Sequence, residues 1–215
     1  MSVINLGEVQ TRVQTQFGDK NEAQITLAEI TRFANDGQLD LVRRVRCNET
    51  TTTTSSVIGT KVYNFTNLLD ASRVTYDGRP LTLVDRRKLD QWYPTREVST
   101  TPNGTPLYYF VTAGGIEVYP VPDAAGVVIS TTYIKRPVDL VNAGDPLEIP
   151  VQYHEDVVRF CLLRAFETDG QWTAADRVGA DYKGRTVESR HDEQNKGEES
   201  YPSVRALPGD YGEVC

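Results

Sequence analysis

The residues best suited to acid–base or metal chemistry lie in two short polar clusters, His154-Glu155-Asp156 and His191-Asp192, which contain both histidines of the chain. Imidazole and carboxylate groups together can bind a metal ion or transfer protons. Neighbouring residues of a helix point in different directions, so the first cluster cannot hold one ion from a single face. Acidic residues at a helix start are explained by the helix dipole, and neither spacing matches a known ligand set. We therefore predict no catalytic residue and no metal site here.

The three cysteines, Cys47, Cys161 and Cys215, are widely spaced and form no Cys-x-x-Cys pair. This spacing argues against a zinc ribbon or a redox motif. The sequence also lacks the nucleophile elbow Gly-x-Ser-x-Gly, the zinc motif His-Glu-x-x-His and the phosphate-binding Gly-x-x-x-x-Gly-Lys. We therefore expect a protein that is not an enzyme and needs no cofactor.

Composition places the chain among globular proteins. Its 215 residues are 39% hydrophobic and 25% charged, with a net charge of −7. This acidic balance disfavours a protein that grips DNA, because such affinity comes from Lys and Arg displacing counterions. The first residues carry no basic, apolar leader, and no stretch has the roughly 20 apolar residues of a membrane span. We expect a soluble protein made in a cytosol.

The elements that position these residues begin with two helices. Leu6, Val9, Val13 and Phe17 recur at helical spacing over residues 5–17. Thr26 and Glu29 form a capping-box signature that opens a second helix, which extends to about Arg46. Asn35-Asp36-Gly37 is expected to interrupt or kink it.

The middle of the chain has a different pattern. Residues 49–56 are a run of Thr and Ser without helical periodicity, which we predict to be a loop or an extended arm. Residues 57–135 are rich in Val, Ile, Thr and Tyr, with turns at Asp77-Gly78 and Gly114-Gly115. This pattern predicts five or six antiparallel strands.

Helical periodicity returns after Pro150 and predicts two antiparallel helices joined at Asp169-Gly170. Both ends of the chain are then helical, and their apolar faces are each other's nearest partners. We predict an α+β fold in which an antiparallel β domain is inserted into a helical bundle. The expected divisions are the first helices at 1–48, the β domain at 49–148, the helical hairpin at 149–196 and an extended tail at 197–215.

A series of segments, in this order, resembles the head-to-tail connector, or adaptor, proteins of tailed bacteriophages. The segments are YDGRPL at 76–81, GTPLYYF at 104–110, IEVYPVPD at 116–123, YIKRP at 133–137, IPVQYH at 149–154 and RAFETDGQW at 164–172. The likeness covers most of residues 5–195. Its order and spacing carry the resemblance more than any single segment.

The resemblance implies a structural virion protein at the head–tail junction, assembled in the host cytoplasm. Such adaptors form a homo-oligomeric ring, usually of about twelve copies, beneath the portal protein. The ring extends the DNA channel, through which DNA passes without sequence-specific binding, and presents a surface to the downstream tail or nozzle protein. The C-terminal segment commonly docks on the portal, and the matching anchors here would be Tyr201, Val204, Leu207 and Tyr211. The 49–56 stretch would supply an arm to a neighbouring subunit or to the tail through Thr50, Thr52, Thr54 and Ser56.

Two other functions remain open from the residues alone. The chain could be another tail component, such as a tail-tube, nozzle or terminator subunit, since these also use β domains and rings. Terminal helical segments are the feature that argues for an adaptor instead. An enzyme or ligand-binding domain with the β region as its cup would need a pocket of titratable groups with shifted pKa values. The sequence gives no reason to expect one.

Overall fold

The structure, a computed structural model, describes residues 3–19, 22–94 and 104–195. Five α-helices lie in this part of the chain: α1 (Leu6–Phe17), α2 (Leu27–Val45), α3 (Arg86–Trp92), α4 (His154–Thr168) and α5 (Trp172–Asn195). None of these helices is both long enough and apolar enough to cross a lipid bilayer.

The same residues contain eight strands: β1 (Glu49–Ser55), β2 (Val62–Asn64), β3 (Leu68–Tyr76), β4 (Arg79–Pro80), β5 (Thr82–Leu83), β6 (Tyr108–Thr112), β7 (Gly115–Tyr119) and β8 (Val128–Lys135). They form two four-stranded sheets, in the orders β1-β8-β3-β4 and β2-β7-β6-β5. All pairs are antiparallel except β5 with β6. The fold is therefore α+β, as predicted. The strand count exceeds five or six because β4 and β5 are only two residues long.

The two sheets pack face to face around an apolar interior with residues from both, such as Val74, Tyr109, Ile116, Ile129 and Tyr133. The two predicted turns join neighbouring strands. Asp77 and Gly78 both have positive φ (50° and 74°), as a type I′ hairpin turn requires, and they connect β3 to β4. Gly114 lies in the turn between β6 and β7, with φ 86°.

The helical core draws on both ends of the chain, as predicted. Val9 of α1, Ile30 and Leu41 of α2, and Val158 and Cys161 of α4 belong to one buried cluster. Capping boxes begin α1 at Asn5 and α2 at Thr26, where each side chain accepts the N–H of a Glu three residues later.

The expected interruption of α2 at Asn35-Asp36-Gly37 is wrong, because the helix is continuous from Leu27 to Val45. Gly37 has a packing role instead. A Cβ atom at this position would lie 2.9 Å from Cδ1 of Phe160, so the missing side chain lets α4 approach α2 closely.

The connection from β8 to α4 lies along α2. Asn35 exchanges two hydrogen bonds with the backbone of Leu140 (3.1 and 2.7 Å), and Gln38 Oε1 accepts the N–H of Glu148 at 2.9 Å. Leu140, Leu147 and Ile149 insert into the helical core. The segment that connects β8 to α4 is therefore part of the helical bundle.

Of the two alternatives predicted for 49–56, a loop or an extended arm, the loop is wrong. Residues Glu49–Ser55 form β1, which pairs with β8 through seven consecutive residues. The Thr run lacked an alternating apolar pattern because β1 is an outer strand, whose side chains are all half-buried or exposed. Consecutive β-branched residues nevertheless favour extended structure.

Candidate assembly surfaces

His154 is a buried structural residue that joins the start of the chain to α4. Its Nδ1 accepts the N–H of Ile4 at 3.1 Å, so Nε2 carries the proton and donates to the carbonyl of Ile149 at 2.9 Å. Desolvation by burial lowers the pKa of His154. Because both ring nitrogens form hydrogen bonds to backbone groups, the neutral imidazole links the segments around Ile4 and Ile149 to α4.

The two acidic neighbours of His154 diverge, as expected for adjacent residues of a helix. Glu155 forms an exposed ion pair with Arg12 of α1, at 2.9 Å. Asp156 is buried, with 2% of its side chain exposed, and accepts hydrogen bonds from Arg159 at 3.2 Å and Arg185 at 2.8 Å. No group of three potential metal ligands occurs among residues 3–19, 22–94 and 104–195.

Polar contacts attach α5 to the rest of the bundle along its length. Arg185 bonds Asp156, Asp181 pairs with Arg159 at 2.8 Å, and the hydroxyl of Tyr182 donates to Asp40 of α2 at 2.7 Å. Burial and the hydrogen bond to Asp40 raise the pKa of Tyr182. Few large apolar side chains contribute, since the buried stripe of α5 consists of Ala175, Gly179, Tyr182 and Thr186.

A hydrogen bond joins the end of α5 to the residue just before α4. The hydroxyl of Tyr153, just before α4, donates to Glu193 at 2.5 Å. Burial and this hydrogen bond raise the pKa of Tyr153, to which nearby Cys47 also contributes.

The cysteines differ in environment. Cys161 is fully buried in the helical core, as expected, and desolvation raises the pKa of its thiol. Cys47 is half-buried and packs against the same core. Cys215 lies outside the described residues.

An open groove of about 990 Å³ lies at the other end of α5, where α4 turns into it. Its apolar lining includes Leu162, Phe166, Trp172 and Val178. Trp172 is 66% exposed, whereas Phe166 packs on Phe17 of α1 with ring centroids 5.2 Å apart. Three charged residues also line this groove: Arg159 and Asp181, which pair with each other, and Arg177. The groove therefore offers an apolar surface on the bundle.

The four residues predicted to form an arm all direct backbone groups toward β8 or toward Val127, which directly precedes it. Asn48 accepts from the N–H of Lys135, and Ser56 donates to the carbonyl of Val127. Bonded residues alternate in an antiparallel pair, so the backbone groups of Thr50, Thr52 and Thr54 also point to β8. Ser56 is buried, and its hydroxyl donates to the carbonyl of Ala124 at 2.7 Å.

Sequence reasoning missed the residues that form the open edge of the sheet. By the same alternation, the backbone groups of Glu49, Thr51, Thr53 and Ser55 point away from β8. In the described part of the chain β1 has β8 as its only partner strand. The β-branched character of five successive threonines was the available signal. The pairing register could not be recognised from these residues, because it depends on residues about 80 positions away in the chain.

Three exposed apolar residues near the end of this edge, here called the apolar patch, were likewise not predicted. Val57, Ile58 and Val128 are 55%, 56% and 51% exposed, and Val128 lies opposite Ser55 in the β1–β8 pair. The portal anchors expected at Tyr201, Val204, Leu207 and Tyr211 lie outside the described residues.

Comparison with known proteins agrees with this architecture. No curated protein matches the chain. A family model described as "SU10 adaptor protein" matches residues 4–206, which includes both helical segments, the whole β domain and the first part of the tail. The resemblance to a phage head-to-tail adaptor is thereby confirmed, and the chain belongs to the SU10 adaptor protein family.

Proposed function

We propose that this protein is a non-enzymatic, ring-forming structural component of the phage virion, located between portal and tail. The family match across residues 4–206 carries the proposal. A helical bundle built from both ends of the chain also favours an adaptor over a tail-tube, nozzle or terminator subunit. The ring, of about twelve copies by resemblance, joins the head–tail junction after synthesis of its subunits in the host cytoplasm.

The charge of the chain suits the passage of DNA. Each copy carries a net charge of −7, and a ring repeats this charge around its axis. Acidic side chains facing the lumen repel phosphates, so DNA slides through without being held. The ring thereby extends the channel of the portal without reading sequence.

The surface of the bundle supports assembly with neighbouring copies. Trp172 is exposed at an open groove that Leu162, Phe166 and Val178 also line, and contiguous apolar surface of this kind is typical of protein–protein contacts. A neighbouring bundle in the ring would cover this groove. The contact would be head-to-tail, because a cyclic ring joins two different surfaces of each subunit.

The tail at 197–215 is the proposed contact with the portal. Its apolar side chains, Tyr201, Val204, Leu207 and Tyr211, are separated by Gly, Pro, Ser and acidic residues. Such a composition does not build a core of its own but can supply anchors to another surface.

A binding experiment with purified portal tests this function. The full-length chain and a variant ending at residue 196 are each mixed with portal rings and separated by size. We expect the full-length chain to co-migrate with the portal and the shortened chain to remain free, although its circular dichroism and melting temperature are unchanged. Equal binding of both chains would contradict the proposal that the tail docks on the portal. Failure of the full-length chain to bind at any ionic strength would contradict the adaptor function itself.

A further inference from the structure

The outer edge of β1 differs from the other three sheet edges. The outer strands β2, β4 and β5 are three, two and two residues long, and β4 contains Pro80. β1 is seven residues long and pairs with β8 without a bulge. Proteins normally protect exposed edges with short strands, proline, lysine or bulges. The other three edges have short outer strands, and the part of β3 that β4 leaves unpaired contains two register shifts. β1 has neither form of protection.

The composition of β1 favours pairing with another strand. Residues 50–54 are five threonines, so the only charged side chain is Glu49 at the beginning. Outward-pointing N–H and C=O groups at positions 49, 51, 53 and 55 form a ready template for a further strand. Their spacing is fixed, because the register with β8 is constant across all seven pairs.

The apolar patch of Val57, Ile58 and Val128 gives the edge a preferred direction. It lies at the end of β1, whereas Glu49 lies at the beginning, near the bundle. A strand added here would bind along its length through main-chain hydrogen bonds. Apolar side chains at one of its ends would cover the patch.

We propose that β1 accepts an extended segment of the downstream tail protein, which adds a fifth strand to the sheet. The segment is uncharged or nearly so along β1 and carries apolar residues at the end that meets Val57, Ile58 and Val128. This assignment rests on the proposed function. There, residues 197–215 contact the portal, so the β domain is available to bind the downstream tail protein.

A second copy of the chain fits the edge less well. Two β1 strands would pair around a two-fold axis, whereas subunits of a one-directional ring meet head-to-tail. The other outer strands are too short to match seven residues.

The chain's own C-terminal segment is also a poor partner. Residues 196–215 contain Gly197, Pro202, Pro208, Gly209 and Gly212, which interrupt a continuous ladder.

The first test replaces one edge residue in two ways. Thr53→Pro removes an outward N–H and no bond to β8, whereas Thr53→Val keeps the backbone and removes only the hydroxyl. Each variant is added to DNA-filled heads that carry portal but lack this protein, and then to a tail extract. We expect both variants to join heads as the wild type does. We expect Thr53→Pro alone to reduce tail attachment, by about tenfold or more.

Two outcomes of this experiment would overturn the proposal. Tail attachment by Thr53→Pro at the wild-type level would show that the edge is not used. Loss of head joining by Thr53→Pro but not by Thr53→Val would assign the edge to the portal or to a neighbouring copy.

The second test measures amide hydrogen exchange at residues 49–55 and does not require the variants. It compares the free chain, the chain on tail-less heads, the chain on tailed particles, and the free chain mixed with purified tail protein. We expect the amides of positions 49, 51, 53 and 55 to become protected only when tail protein is present.

Protection in the free chain that is lost in the variant ending at residue 196 would identify the C-terminal tail as the occupant instead. Protection on tail-less heads would identify the portal or a second copy, and absence of protection everywhere would also refute the proposal. Because the last mixture contains no portal, it separates failure of this proposal from failure of the adaptor function.

Discussion

Arg185 in the middle of α5 places its Nε 2.8 Å from Oδ1 of Asp156 in the first turn of α4. The carboxylate is 2% exposed and the guanidinium 44% exposed, so the pair lies at the boundary of the core. Arg159 donates to the same oxygen and also pairs with Asp181 of α5. Asp156 therefore connects the two C-terminal helices, and these polar contacts add to the packing of Tyr182 of α5 on Phe160 of α4.

We predict that Asp156→Ala destabilises the protein far more than Glu155→Ala. Removal of Asp156 leaves two arginines without their buried partner, at a cost of about 2–3 kcal/mol, discounted because both arginines are partly exposed. Glu155 forms an exposed pair with Arg12, whose loss costs at most about 1 kcal/mol. Urea unfolding of the two variants gives the comparison, and equal losses would show that Asp156 does not hold α5.

Replacement of glycine by alanine should change the stability in opposite directions at two helical positions. Gly184→Ala should stabilise α5 by up to about 1 kcal/mol, because nothing lies within 4 Å of the added methyl group and Ala is the better helix former. Gly37→Ala should destabilise by about 1–2 kcal/mol, because its Cβ would collide with the ring of Phe160. Thermal unfolding measures both variants, and a stabilising Gly37→Ala would contradict the close packing of α2 on α4.

Acid should weaken the fold through His154. Its pKa is lowered in the folded protein from the ordinary value of 6.5, so below that pH the unfolded chain binds more protons. The stabilisation is fully present above pH 6.5 and is lost as the pH falls toward the folded pKa, at no more than about 1.4 kcal/mol per pH unit. Protonation would also break the bond from the N–H of Ile4 to Nδ1.

The control for this effect is His154→Gln, an amide that can accept from Ile4 and donate to Ile149. Unfolding free energies measured from pH 7.5 to 5.5 should decline more steeply for the wild type than for the variant. Identical slopes would mean that His154 does not contribute to the acid sensitivity.

Local signals predicted the helices and turns well. The spacing of Leu6, Val9 and Val13 identified the buried face of α1, and Thr26 with Glu29 identified the start of α2. Asp77-Gly78 identified the β3–β4 hairpin, because few residues tolerate two successive positive φ angles. These features depend on neighbours in the chain, which is why the sequence carries them.

Features that depend on distant residues were not predictable. Gly37 looked like a helix breaker because its partner, Phe160, lies more than 120 positions away. The threonines of β1 looked like a loop because the register that makes them a strand is set by β8. Asp156 looked like an ordinary helix-start residue because Arg185, which holds it, belongs to the next helix. In each case tertiary contact overrides or completes the local signal.

The mass of the complex formed with purified portal tests the adaptor function most directly. If the protein forms a ring beneath the portal, native mass measurement of the mixture should give one discrete species that contains the portal and about twelve copies of the 24.0 kDa chain. A spectrum that contains only free portal and free chain, under conditions where the chain is folded, would contradict this function.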